Sequence, residues 1–253
     1  MGGRRGRNIR DNIFVMNAMI NSIKNGSEGP CDITIYDIEK CFDALWVQEC
    51  MNTLYENGLN IDKLVLLHQE TINAKIAIKT ANGLTERIDI KNIIMTGTLF
   101  GSLICTAVVD KLAKIFYSEK NLLYMYNNKV EVPILGMVDD VINVTKCSNQ
   151  TVINNATINA FMEANKLTLA KKKCSRIHVG RKCQKCPELN IHEAQINNSQ
   201  AETYLGDVIC ENGKLDVTIN ARKIKAYSCM SEIKALLSDM PFGKRRLEIG
   251  LML

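Results

Sequence analysis

The chain has 253 residues, of which 46% are hydrophobic and only 4 are proline, enough apolar content to bury a core spread over one or two lobes. Its 32 lysines and arginines against 27 aspartates and glutamates give a formal net charge of +5, a bias too small by itself to name a partner. No uninterrupted apolar run reaches the ~18 residues of a membrane span, and Met1-Gly2-Gly3-Arg4-Arg5-Gly6-Arg7 lacks the apolar core of a secretory signal; with 10 cysteines, this predicts reduced thiols, an intracellular protein and no membrane partner.

Ile13, Val15, Met16, Met19, Ile20 and Ile23 recur at helical spacing, and Asn25-Gly26-Ser27-Glu28-Gly29-Pro30 ends that helix in a loop. An alternating strand follows, Cys31-Asp32-Ile33-Thr34-Ile35-Tyr36, ending in Asp37 with an aromatic, Phe42, soon after. Ala44 to Asn57 predicts a helix capped by Asp43 and stopped by Gly58. Ile61 to Asn73 predicts another, with Asn60 as its cap. Lys75 to Ala81 and Leu84 to Ile90 read as strands flanking Asn82-Gly83, a two-residue hairpin signal. The Gly-punctuated stretch Met95-Thr96-Gly97-Thr98-Leu99-Phe100-Gly101-Ser102 leads into a long helix ending near Tyr117.

The next stretch is the one the rest of the chain is organised around: Val132-Pro133-Ile134-Leu135-Gly136-Met137-Val138-Asp139-Asp140-Val141-Ile142-Asn143-Val144. Two apolar, β-branched runs read as strands joined by a tight turn whose only polar centre is Asp139-Asp140. An ionised carboxylate between apolar neighbours is tolerated when something cationic neutralises it, and a bound metal is the economical explanation. Consecutive strand residues point to opposite faces, so both can approach one ion only if the pair lies at the bend, which places Asp139 and Asp140 at a hairpin tip. A surface turn that uses aspartate for its turn chemistry is the plain alternative. Asp37, at the end of its own strand, supplies a further carboxylate that can meet them across one sheet.

Beyond the hairpin, Thr151 to Asn165 predicts an amphipathic helix, Lys173 to Val179 a strand, Leu189 to Ile209 short strands, and Val217 to Leu237 a last helix. Strands and helices interleave without the βαβ rhythm of a parallel sheet, so the fold class is α+β. Basic clusters at Arg4-Arg5-Gly6-Arg7 with Arg10, Lys171-Lys172-Lys173 with Arg176, Arg181-Lys182, Arg222-Lys223-Ile224-Lys225 and Lys244-Arg245-Arg246 flank the acidic centre, where a phosphate backbone can run. Singly, each reads as a solvated face. Cys183-Gln184-Lys185-Cys186 has zinc-knuckle spacing, and Cys174, His178 and His192 lie near enough in sequence to complete a set, giving a zinc-stabilised nucleic-acid-binding module as a rival reading.

In this order the segments resemble the reverse transcriptase domain of retroelements, most closely the non-LTR, LINE-like type. Tyr36-Asp37-Ile38-Glu39-Lys40-Cys41-Phe42-Asp43 resembles the first catalytic motif, whose leading Asp binds metal. Residues 97–102 resemble the Gly-rich segment supporting template and incoming nucleotide. Met137-Val138-Asp139-Asp140 is similar to the aromatic-x-Asp-Asp box, Leu167-Thr168-Leu169-Ala170-Lys171-Lys172-Lys173 to the later segment with a lysine near the triphosphate, and Tyr204-Leu205-Gly206 to the turn gripping the primer. Phe100 stands where the family has glutamine, and Met137 where it has an aromatic.

The resemblance implies a right-hand polymerase palm, an antiparallel sheet backed by helices, at 31–215 with a fingers insertion near 60–96. Partial fingers at 1–30 and the start of a thumb at 216–253 complete the expected division. It implies RNA-directed addition of deoxynucleotides to a primer 3′-hydroxyl, with RNA template, DNA primer and dNTPs as partners. Asp37, Asp139 and Asp140 are the implied catalytic set and the ligands of two ions, Asp37 and Asp139 bridging and Asp140 supporting; the oxygen-only donors favour Mg²⁺ or Mn²⁺. Phe42, Gly101 and Lys173 are implied at the nucleotide, with Phe42 excluding a 2′-hydroxyl, and Arg7, Arg10, Phe100, Tyr204 and Gly206 at template and primer. A palm that binds nucleic acid without catalysis is the remaining alternative.

Overall fold

Asn8 and Asp11 start the first helix by capping each other's backbone: Asn8 accepts from the N–H of Arg10 at 3.2 Å and Asp11 accepts from the N–H of Asn8 at 2.9 Å. The computed structural model describes residues 8–89, 94, 101–132, 134–146, 148–181, 188–191, 194–212 and 215–238. Its helices are α1 (Ile9–Lys24), α2 (Cys41–Ala44), α3 (Val47–Glu56), α4 (Ile61–Ile72), α5 (Gly101–Ser118), α6 (Ser148–Ala164) and α7 (Leu215–Ser238). Among the described residues no helix is long and apolar enough to cross a membrane.

The Cys31–Asp37 strand lies at the centre of a 5-stranded sheet. It runs antiparallel to Asp140–Thr145 on one side and to Ser175–Val179 on the other. Ile134–Met137 closes the first side as an antiparallel edge, and the short Asn197–Asn198 strand runs parallel along the second. Side chains alternate between faces, so the central strand splits into two sets. Cys31, Ile33 and Ile35 join Ile142, Val144, Ile177 and Val179 beneath α1, whose Met16, Met19, Ile20 and Ile23 cover them. Tyr36 and Val141 face the opposite core, built from α3, α5 and α6 with Cys50, Leu54, Leu112, Phe116 and Phe161. This is the α+β palm arrangement expected from the sequence, a mostly antiparallel sheet backed by helices.

Two local expectations shift. The helix expected from Ala44 to Asn57 is broken: Asp43 lies inside α2, the backbone turns extended at Leu45 and Trp46, and α3 begins at Val47 without a side-chain cap. The break lets both Cys41 and Val47 reach the core. The hairpin after α4 is shorter than the sequence suggested, with Lys75–Ile76 pairing Ile88–Asp89 and Lys79–Thr80 pairing Gly83–Leu84. Its turn therefore falls on Ala81-Asn82, with Gly83 in the strand at φ 115°. Residues 75–89 are exposed throughout. Asn60 does cap α4, accepting from the N–H of Asp62 at 2.8 Å.

Candidate active site

Strand register decides which carboxylates meet. Asp37, the last residue of the central strand, lies directly opposite Asp140, the first residue of its neighbour. Opposed residues of an antiparallel pair share a face, with Cβ atoms about 4.5–5.5 Å apart. The hairpin carrying Asp140 turns through Val138-Asp139, with Met137 opposite Asp140. Val138 has φ 59° while Asp139 keeps a negative φ, the pattern of a type II′ turn. A β-branched residue in that region is strained. Packing of Val138 against the α5-side core holds it there, which fixes Asp139 at the tip.

The electrostatics are those of crowded negative charge. Desolvation pushes the Asp140 carboxyl above the ordinary range, the charges of Asp139 and Asp37 push it further, and Lys173 pulls it back. Lys173 is the nearby cation: its Nζ lies 3.2 and 3.3 Å from the two oxygens of Asp37. That hydrogen bond comes first, and the Asp37 charge next, in raising the ammonium's pKa. Backbone contacts deliver Lys173 to this place. The N–H of Glu39 donates to Thr168 and that of Ala170 to Asp37, both at 2.8 Å, and the turn closes with Lys173 donating to Ala170.

The side chains are not drawn into a finished cage. Among the described residues no group of three or more His, Cys, Asp or Glu side chains converges closely enough to hold a metal ion. Asp37 turns toward Lys173, and the three carboxylates repel one another. The donor set nonetheless suits a hard divalent cation: every ligand is oxygen, and burial together with the charges of Asp139 and Asp37 raises Asp140.

The other expected residues fall in varied places. Phe42 follows Lys40, whose φ is 46°, and packs half-buried against the α5-side core. Its carbonyl accepts from the N–H of Ile94 at 3.3 Å. Gly101 is buried at the first residue of α5. Arg10 is exposed in the first turn of α1. Gly206 is exposed at the tip of a hairpin in which Leu205 and Gly206 both have positive φ, 50° and 81°, as a type I′ turn requires. Tyr204, just before that turn, is 2% exposed, its ring packed in the α1-side core. Arg7, Phe100, Cys183, Cys186 and His192 lie outside the described residues.

Cys174 is buried beneath the end of the central strand, its Sγ accepts from the N–H of Asp37 at 3.4 Å, and burial pushes its thiol up to about 11. His178 stands near the far end of the next strand with both ring nitrogens engaged, Nδ1 2.8 Å from Asp32 and Nε2 2.9 Å from the carbonyl of Arg181.

Two polar features went unread in the sequence. Asp32 is buried in the sheet, ion-paired with buried Arg176 and accepting from Thr151 at 3.0 Å. Asn12 is wholly buried on α1 and donates from Nδ2 to the carbonyl of Gly136 and to the hydroxyl of Tyr204, each at 3.3 Å. The signal for Asn12 was present: it occupies a core position of the α1 stripe that continues through Met16, Met19, Ile20 and Ile23.

Comparison with known proteins bears on the family and the fold. A family model described as reverse transcriptase (RNA-dependent DNA polymerase) matches residues 1–236. No curated protein sequence matches the chain. Among solved structures, apo telomerase of Candida tropicalis truncated from its C-terminal domain superposes with a TM-score of 0.55 at 15% identity, over 82% of this chain and 40% of that one. Telomerase of Candida tropicalis in complex with a fragment of telomeric RNA gives 0.56 at 14% identity, over 81% of this chain and 32% of that one. The corresponding Candida albicans complex gives 0.56 at 14%, over 82% and 33%. The chain thus spans about a third to two fifths of the length of these structures, and at such identities the likeness concerns the fold.

Proposed function

The chain belongs to the reverse transcriptase (RNA-dependent DNA polymerase) family, and from that premise we propose that it copies an RNA template by adding deoxynucleotides to a primer 3′-hydroxyl, as the palm of a non-LTR retroelement enzyme. The observation that carries this reading is the placement of Asp37 across from Asp140, with Asp139 on the adjoining turn, in a family whose chemistry needs clustered carboxylates. The order of motifs along the chain supports the retroelement assignment.

Asp37 and Asp139 would hold a pair of Mg²⁺ or Mn²⁺ ions, with Asp140 supporting from the facing strand. When bound, such ions neutralise charge on the attacking and departing oxygens of an in-line displacement. Asp37, paired with Lys173 at 3.2 Å, would exchange that partner for the metal. Lys173, exposed beside Asp37, would be the cation offered to the departing phosphates. Phe42, anchored through its backbone to residue 94, forms the floor under the incoming sugar, and Gly101 at the head of α5 permits close backbone approach. Exposed Arg10 and the Gly206 turn are surfaces for template and primer.

Primer extension on an RNA template with Mg²⁺, comparing the full-length protein with Asp139→Ala, tests the reading. The expected result is extension by the wild type and a loss of at least about a thousandfold in the variant, as charge-stabilising groups at phosphoryl-transfer sites contribute. Tight binding of primer–template without metal-dependent extension would instead make this a non-catalytic palm.

A further inference from the structure

We infer that Asn12 is a positioning residue, a two-pronged tie that sets the distance between the carboxylate hairpin and the Leu205-Gly206 turn. This inference rests on the polymerase reading above. A buried amide is costly to keep in an apolar stripe, and this one carries an additional cost because its Oδ1 has no hydrogen-bond partner among the described residues. A leucine at the same place would extend the Met16, Met19, Ile20, Ile23 face of α1 without that defect. The amide is therefore not there to maximise stability.

What it does is visible in its two bonds. The carbonyl of Gly136 only accepts, so the amide nitrogen must face it, and this fixes the orientation of the group. Gly136 lies in the edge strand two residues before the strained Val138 turn, and pairs across to Val141 beside Asp140. The second bond runs to the hydroxyl of Tyr204, the residue that opens the Leu205-Gly206 turn and pairs with Asp207. Tyr204 is close enough to the site for the Asp140 charge to help raise its phenol. The 201–204 and 207–210 strands form their own two-stranded sheet, separate from the five-stranded one. One side chain on a third element, α1, thus hydrogen-bonds to both the hairpin that bears the carboxylates and the hairpin proposed to hold the primer. Apolar packing is non-directional and tolerates sliding, whereas two hydrogen bonds from one planar amide do not. Misplacing the attacking hydroxyl by about 1 Å is enough to slow transfer by up to ~100-fold.

The test is pre-steady-state single-nucleotide addition by the full-length protein over a range of dNTP concentrations up to saturation, at saturating primer–template. Wild type is compared with Asn12→Leu, Tyr204→Phe and the double variant, alongside thermal melting. Because the burst rate constant is a property of each active molecule, partial unfolding lowers amplitude and leaves it unchanged. Expected are rate constants about tenfold lower in each single variant, a double variant no slower than the slower single, an unchanged dNTP KM and an Asn12→Leu melting temperature at or above wild type. Burst rate constants within twofold of wild type in the variants, or a loss confined to melting temperature and amplitude, would overturn the positioning role while leaving the polymerase reading intact. An inert wild type would remove both.

Discussion

Replacing Asp140 with asparagine should make the metal-free protein more stable while weakening its stabilisation by Mg²⁺. Asp140 is half-buried and faces Asp37 across the strand pair, with Asp139 adjoining it in the turn. Two like charges ~6 Å apart repel by about 0.7 kcal/mol in water and about 3 kcal/mol at an effective dielectric of ~20. Partial exposure and the countercharge of Lys173 argue for the lower half of that range, about 1–1.5 kcal/mol. For a chain of this size each kcal/mol moves the melting temperature by about 2–4 °C, so the variant should melt roughly 2–6 °C higher in EDTA at neutral pH. The pH dependence has a definite sign. The native carboxyl titrates above its ordinary value of about 3.9, so within that interval the folded state binds more protons than the unfolded one. Stability therefore falls as pH rises through the interval and stays lowered above it, and Asp140→Asn should flatten this limb. Adding Mg²⁺ at ~10 times its Kd should stabilise the wild type by about 1.4 kcal/mol and the variant by less. Scanning calorimetry in EDTA and in MgCl₂ reads both effects. A variant that melts at or below wild type in EDTA would refute the picture of unneutralised, mutually repelling carboxylates.

Arg176→Met leaves Asp32 buried without its guanidinium and should cost about 3–5 kcal/mol in urea denaturation at unchanged m, while Asp32→Leu combined with Arg176→Met should regain most of that loss; a single-variant cost under ~1 kcal/mol would show that the buried pair does not carry the charge balance described here. Gly180→Ala should be destabilised by at least about 2 kcal/mol, because Gly180 has φ +104° and an added Cβ would meet Ile23 and the Pro30 backbone at 3.0 Å. An alanine variant as stable as wild type would mean that the corner between the Ser175–Val179 strand and the loop after α1 is looser than its contacts indicate.

Much of the site was legible because its determinants are local. Polar residues between β-branched runs mark a hairpin at Asp139-Asp140, which the structure turns one residue earlier, through Val138-Asp139 with Asp140 opening the strand; alternation through Ile33 and Ile35 marks the strand ending in Asp37, and Asn60 announces its helix through a short-range cap. The broken helix at Leu45-Trp46 was not legible, since its cause is the burial of Cys41 and Val47 on a core that forms only when α5 arrives. Nor was the fate of Tyr204: a sequence shows an aromatic before a turn, while whether it faces solvent depends on where α1 and the sheet lie. Lys173 was chosen over Lys171 and Lys172 through the family resemblance alone; its contact with Asp37 depends on backbone bonds to the end of the central strand that spacing does not show.

By itself, then, the sequence determined the carboxylates, their strand ends and the family, because those follow from residue type and short spacing along the chain. Tertiary structure alone decided that Asp37 faces Asp140 rather than Asp139, that Lys173 takes the cation's place, and that Asn12 spans two hairpins. Each of these depends on register and on contact between residues more than a hundred positions apart, which periodicity cannot encode.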